Sequence, residues 1–102
     1  MDNMDYLLQY VLPWARQNRE PVEDITFRCF LHIERNAGLL SRYNMLLASR
    51  GATPDVRRNV NREIAQRIEK ELNLERIDER ELPEGYFLIN SYSRLKEKQN
   101  EN

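Results

Sequence analysis

The chain has 102 residues, 40% of them hydrophobic and 32% charged, and a formal net charge of −1. That length corresponds to one domain and suffices for a modest core. Three Gly and four Pro are too few for an all-β fold with many tight turns, and no apolar run long enough for a transmembrane helix occurs.

A first helix is predicted from about Met4 to Trp14, capped by Asp2 or Asn3. Tyr6, Leu7, Tyr10, Val11 and Trp14 recur at three- and four-residue steps. Pro13 lacks an amide hydrogen and is expected to kink or end this helix. Arg16 to Glu20 reads as a polar connection.

Pro21 suits the first turn of a second helix, with Glu23 and Asp24 complementing its positive end. The helical pattern then runs to about Arg50. Phe30, Ile33, Ala37, Leu40, Asn44 and Leu47 form a heptad-like seam. Gly38 interrupts it: either one helix tolerates the glycine at a cost of roughly 1 kcal/mol, or two helices meet there. A break or bend is the preferred reading.

Gly51 and Ala52 form a turn. Thr53 caps the next helix, with Pro54 at its first position. Val56, Val60, Ile64, Ile68 and Leu72 follow at four-residue steps to an end near Asn73. The charged stretch Glu75 to Gly85 reads as a loop. Tyr86 to Ile89 is β-prone, but with no evident partner strand, Leu88, Tyr92 and Leu95 are assigned to a final helix.

The expected fold is therefore all-α: a small bundle of about four helices with a helix-turn-helix-like pair around Gly51. Residues 1–95 form its single domain, and residues 96–102 form a frayed polar tail. The expected core comprises Tyr6, Tyr10, Phe30, Ile33, Leu40, Leu47, Val60, Ile64 and Ile68.

The N-terminal sequence lacks the positive charge and small-residue cleavage site of a secretory signal. Cys29 is the only cysteine, which rules out an internal disulfide and suits a reducing cytoplasm. Cys29 and His32 lie three residues apart and could form a thiolate–imidazolium pair. Against that, Cys29 sits among Phe27, Phe30 and Ile33 and behaves as a small core residue. No phosphate-binding glycine loop, His-Glu-x-x-His, Cys-x-x-Cys or Gly-x-Ser-x-Gly motif is present. The acidic residues from Glu69 to Glu84 lack the spacing of a calcium loop. No enzyme, metal site or cofactor is expected.

Charge is distributed unevenly. Residues 35–67 carry seven arginines against Asp55 and Glu63, a net +5 between two segments of −3 each. Arg57, Arg58 and Arg62, with Asn61 and Gln66, make a donor-rich face near the positive end of the Pro54 helix. Cations there oppose the helix dipole, and an anionic partner would resolve the conflict. Asn61 and Gln66 could also contact base edges. Arg50, Arg57, Arg58, Asn61, Arg62 and Gln66 are thus the candidate anion- or nucleic-acid-binding residues. The plainer alternative is that these arginines pair with Glu23, Asp24 or the acids from Glu69 to Glu84 within the chain.

The expected function is a small non-enzymatic nucleic-acid-binding accessory or regulatory module. The alternative is a helical protein-interaction or oligomerisation module whose Phe30–Leu47 seam meets another chain, with no nucleic-acid contact. An acidic protein is another possible partner, a membrane is not, and a homo-oligomer, as a dimer, is expected.

Overall fold

A computed structural model describes residues 1–99 of the chain. Helix α1 spans Asn3–Gln17, with Asp2 Oδ1 accepting from the Asp5 amide at 2.8 Å. Pro13 neither ends it nor prevents another turn. The carbonyl deprived of a donor belongs to Gln9, which is exposed and open to water. Asn18 closes the helix by donating to the Trp14 carbonyl from both its backbone and its side chain.

The connection that follows is held by Arg28. Its guanidinium donates to the carbonyls of Asn18, Arg19 and Pro21 and to Asp24. Pro21 precedes a 3-10 turn at Val22–Asp24 rather than opening the second helix. Helix α2, Ile25–Arg35, and helix α3, Ala37–Ser49, are separated at Asn36. Asn36 has extended backbone, and its side chain caps α3 by accepting from Leu39 N at 3.1 Å. The break thus falls two residues before Gly38 and comes from a cap.

Helices α3 and α4 (Pro54–Leu72) form the expected pair around Gly51. Gly51 at φ 101° and Ala52 at φ 52° turn the chain. Thr53 Oγ1 then accepts from Val56 N at 3.1 Å. At the far end Asn73, left-handed at φ 54°, stops α4.

Beyond Asn73 the all-α expectation fails. Strand β1, Leu74–Glu81, pairs antiparallel with β2, Ser91–Glu97, so the described residues form four helices plus a two-stranded sheet. The segment expected to be a loop is largely β1, and the expected final helix is the 82–90 turn and β2. Lys96 and Glu97 belong to β2 rather than to a frayed tail, while residues 100–102 lie outside the described residues.

Electrostatics supplies the missing partner strand. Asp78 sits opposite Arg94, which donates to it from Nε at 2.6 Å, and Glu75 sits opposite Lys96 at 3.5 Å. Opposite charges facing across strands stabilise pairing. The Arg94 hydrogen bonds hold the Asp78 carboxyl below its ordinary pKa. The register slips between Arg76 and Asp78, at Ile77, which is left 47% exposed.

One hydrophobic cluster joins all four helices to the sheet. From the expected core, Phe30, Ile33, Leu47, Val60, Ile64 and Ile68 are buried, and Leu40 packs at its edge. Tyr6 and Tyr10 are instead 37% and 49% exposed. α1 turns Met4, Leu7, Leu8 and Val11 inward, one position round from the aromatic stripe. Tyr43, Leu46 and Cys29 are fully or almost fully buried, and Leu74, Leu88, Ile89 and Leu95 anchor the hairpin. Of the seam from Phe30 to Leu47, Phe30, Ile33, Leu40 and Leu47 are thereby used within the chain, while Ala37 and Asn44 are exposed. No helix among the described residues is long and apolar enough to cross a membrane.

Candidate functional site

The first half of α4 positions the candidate residues. The Thr53 cap and Pro54 fix where the helix begins, and the buried stripe Val60–Ile64–Ile68 fixes its rotation. With that stripe inward, Arg57, Arg58, Arg62 and Gln66 are exposed and Asn61 lies at the boundary.

Their partners differ. Arg57 Nη1 donates to the Phe87 carbonyl at 3.1 Å, which tethers the 82–90 turn to α4. Arg58 reaches Asp55 at 3.5 Å, with the two side chains 70% and 83% exposed, so water screens the pair. Arg62 has no ion-pair or hydrogen-bond partner among the described residues. Arg50 lies beyond the turn and pairs with Glu63 at 2.9 Å.

Asn61 has an internal role that the sequence did not suggest. Its Nδ2 donates to the Leu88 carbonyl at 2.7 Å, and its Oδ1 accepts from the Tyr43 hydroxyl at 2.5 Å. The Leu88 carbonyl can only accept, which fixes the orientation of the amide. Both polar ends are occupied by the fold, so Asn61 holds α3, α4 and the hairpin turn together instead of facing a base. Burial pushes the Tyr43 hydroxyl above its ordinary pKa, partly offset by the charge of Arg57.

A cleft of about 920 Å³ separates this part of α4 from the hairpin. One wall is Arg57, Arg58, Asn61, Arg62 and Ala65; the other includes Arg76, Glu79, Ser91 and Ser93. Thr26, Phe30, Leu47, Leu88 and Ile89 also line it, giving it an apolar floor. The structure therefore brings four of the six candidates, Arg57, Arg58, Asn61 and Arg62, to one cleft, while Arg50 and Gln66 lie outside its lining. Sequence reasoning missed the opposite wall, because it did not predict the hairpin.

Several nearby acids are engaged by other bases, whereas Glu79, on the facing wall of the cleft, accepts from the Ser91 hydroxyl and makes no ion pair among the described residues. Arg76 makes a two-point contact with Glu69, and Arg94 binds both Glu23 and Asp78. Arg28 holds Asp24, and Arg16 holds Glu71. Among the described residues, the alternative pairing of Arg57, Arg58 and Arg62 with Glu23, Asp24 or the acids from Glu69 to Glu84 does not occur.

Cys29 and His32 form no functional pair. Cys29 is fully buried, and that burial pushes its thiol up to about 12, despite the opposing charge of Arg28. His32 stacks on Trp14 with centroids 4.2 Å apart, and partial burial lowers its pKa. No known protein family, curated protein or solved structure matches the chain.

Proposed function

We propose that the protein is a nucleic-acid-binding accessory or regulatory module that docks through the first half of α4. The supporting observation is the charge arrangement: Arg58 and Arg62 stand exposed one turn apart beside Arg57, Arg58 has only a screened contact with Asp55, and Glu69, Glu23 and Asp78 are engaged by Arg76 and Arg94. Arginine forks bind phosphate oxygens well, and such contacts give affinity without reading sequence. The rigidly capped start of α4 and the α3–turn–α4 pair would present these side chains together. Arg57, Arg58 and Arg62 would grip the backbone. With Asn61 occupied, Gln66 is the amide of the candidate set left for contact with a base.

The test is fluorescence anisotropy with short single- and double-stranded DNA and RNA at two salt concentrations. Binding should weaken steeply with salt, and Arg58→Ala with Arg62→Ala should reduce the logarithmic salt slope by about two. Failure of the wild-type protein to bind any of the probes at low salt refutes the proposal.

A second reading is supported by a different face. The Arg42 guanidinium lies 4.5 Å and 4.4 Å from the ring centroids of Tyr6 and Tyr10, both exposed. Met45, also exposed, follows Arg42 by one turn of α3. Tyr, Arg and Met are enriched where proteins meet, so this patch suits a protein partner or a second copy of the chain. Light scattering at high micromolar concentration tests self-association. A monomer mass rejects the homo-oligomer, and a dimer mass abolished by Tyr10→Glu supports this face.

A further inference from the structure

The cleft has a feature that gripping a nucleic-acid backbone does not require. Phosphates need cations and amide donors, whereas Phe30, Leu88 and Ile89 give the cleft an apolar floor. Thr26, beside them, is only 2% exposed, and its hydroxyl has no partner among the described residues. A threonine hydroxyl in a helix can bond a carbonyl three or four residues back; that of Thr26, the second residue of α2, does not. Rotation about its Cα–Cβ bond exchanges methyl and hydroxyl, so the hydroxyl can turn towards the cleft that the residue lines.

The rim adds charge. Arg57, Arg58, Arg62 and Arg76 line the cleft against the single acid Glu79. Arg76 is occupied by Glu69; on α4, Arg62 has no partner among the described residues, Arg58 has only its screened contact with Asp55, and Arg57 keeps donors beyond the one given to the Phe87 carbonyl. A volume of about 920 Å³ lies within the range of small-molecule sites, which combine apolar lining with a few fixed polar groups.

We propose that this cleft binds a small organic anion with an apolar body. A carboxylate, sulfonate or phosphate meets the α4 arginines, the ring or chain lies over Phe30, Leu88 and Ile89, and an acceptor on that body takes the Thr26 hydroxyl. An inorganic anion leaves the floor unfilled and binds poorly. This site does not depend on the chain binding nucleic acid.

The probe is 8-anilinonaphthalene-1-sulfonate, which carries a sulfonate on an aromatic body and brightens out of water. Titration should show one saturable site per chain, with inorganic sulfate at least about a hundredfold weaker. Arg58→Ala with Arg62→Ala should weaken the probe about tenfold. Ala65→Trp, which fills the cleft from the α4 wall without removing an arginine, should abolish binding. Circular dichroism and a cooperative melt identify folded variants, since the dye also lights up loosened proteins. In isotopically labelled protein the Thr26, Leu88 and Ile89 amide signals should shift with the dye and stay in place with sulfate. Absence of saturable binding overturns the proposal. So does binding that both folded variants retain at full strength, or dye-induced shifts confined to residues outside the cleft.

Discussion

The Tyr43 hydroxyl donates to Asn61 Oδ1 at 2.5 Å, and the Asn61 amide passes the connection on to the Leu88 carbonyl at 2.7 Å. Two bonds through one side chain thus join α3, α4 and the hairpin turn. Asn61→Ala leaves a buried phenol and a buried carbonyl without partners, at a cost of about 1–3 kcal/mol. Tyr43→Phe removes only the first bond and should cost less. Urea unfolding of both variants checks the order. A reversed order would mean that the Leu88 bond contributes nothing.

Thr53→Ala should destabilise the protein by about 1 kcal/mol through loss of the α4 cap. Thr53→Asn, which keeps a side-chain acceptor, should restore most of that loss. An unchanged midpoint for the alanine variant would place the stability of this helix end elsewhere.

The capped starts and the four-residue stripe of α4 were legible because each follows from local chemistry. Thr53 with Pro54 announces a helix start, and Val60, Ile64 and Ile68 form an unbroken apolar stripe on a helix, whereas on a strand Arg62 and Gln66 would interrupt it. The hairpin was hidden because β1 carries Glu75, Arg76, Asp78, Glu79, Arg80 and Glu81 in seven residues and shows no apolar alternation. Its partners Arg94 and Lys96 become meaningful only once the two strands are side by side. Pro83 and Gly85 gave a turn signal, but with β1 unrecognised the turn had only one strand to join. The site divided in the same way: the α4 arginines were visible from helical spacing, whereas the facing wall depended on the hairpin. The internal role of Asn61 was not legible, because a boundary amide looks the same whether its partner is a base or a neighbouring carbonyl.

Leu95 and Ile77 test this account of the hairpin. Leu95 is 1% exposed and Ile77 47%. Leu95→Ala should cost about 2–5 kcal/mol, as for other buried leucines. Ile77→Ala, at the irregular position of β1, should stay within about 0.5 kcal/mol of wild type. Equal effects would mean that the hairpin does not dock through Leu95.

Cys29 gives a pH-dependent prediction. Its folded pKa, raised to about 12, exceeds the ordinary value of 9.0, so the unfolded chain loses its thiol proton first. Below pH 9 the thiol is neutral in both states and has no effect on the equilibrium. As pH rises from 9 towards 12, ionisation of the unfolded chain draws the equilibrium away from the fold. Stability measured by urea should therefore fall across this window, and fall less steeply for Cys29→Ala. The buried thiol should also resist Ellman's reagent until the protein unfolds. Rapid labelling of native protein would show that the α2 core opens around it.

Arg62 and Arg76 line opposite walls of the same cleft, and they should separate binding from stability. Arg76 contacts Glu69 from Nε and Nη2 at 2.7 and 3.1 Å, and the Glu69 side chain is only 14% exposed. Two-point geometry on a largely covered carboxylate makes this pair stronger than an ordinary surface bridge. Arg76→Ala should lower stability by about 1 kcal/mol, because Glu69 loses the partner that holds β1 to the end of α4. Arg62 has no partner to lose among the described residues, so Arg62→Ala should leave the melting midpoint within about 1 °C of wild type. Anionic ligands should show the opposite ranking, with Arg62→Ala weakening them more than Arg76→Ala does. If Arg62→Ala instead lowers the midpoint by several degrees, Arg62 serves the fold, and the anion-binding assignment of the α4 face loses its support.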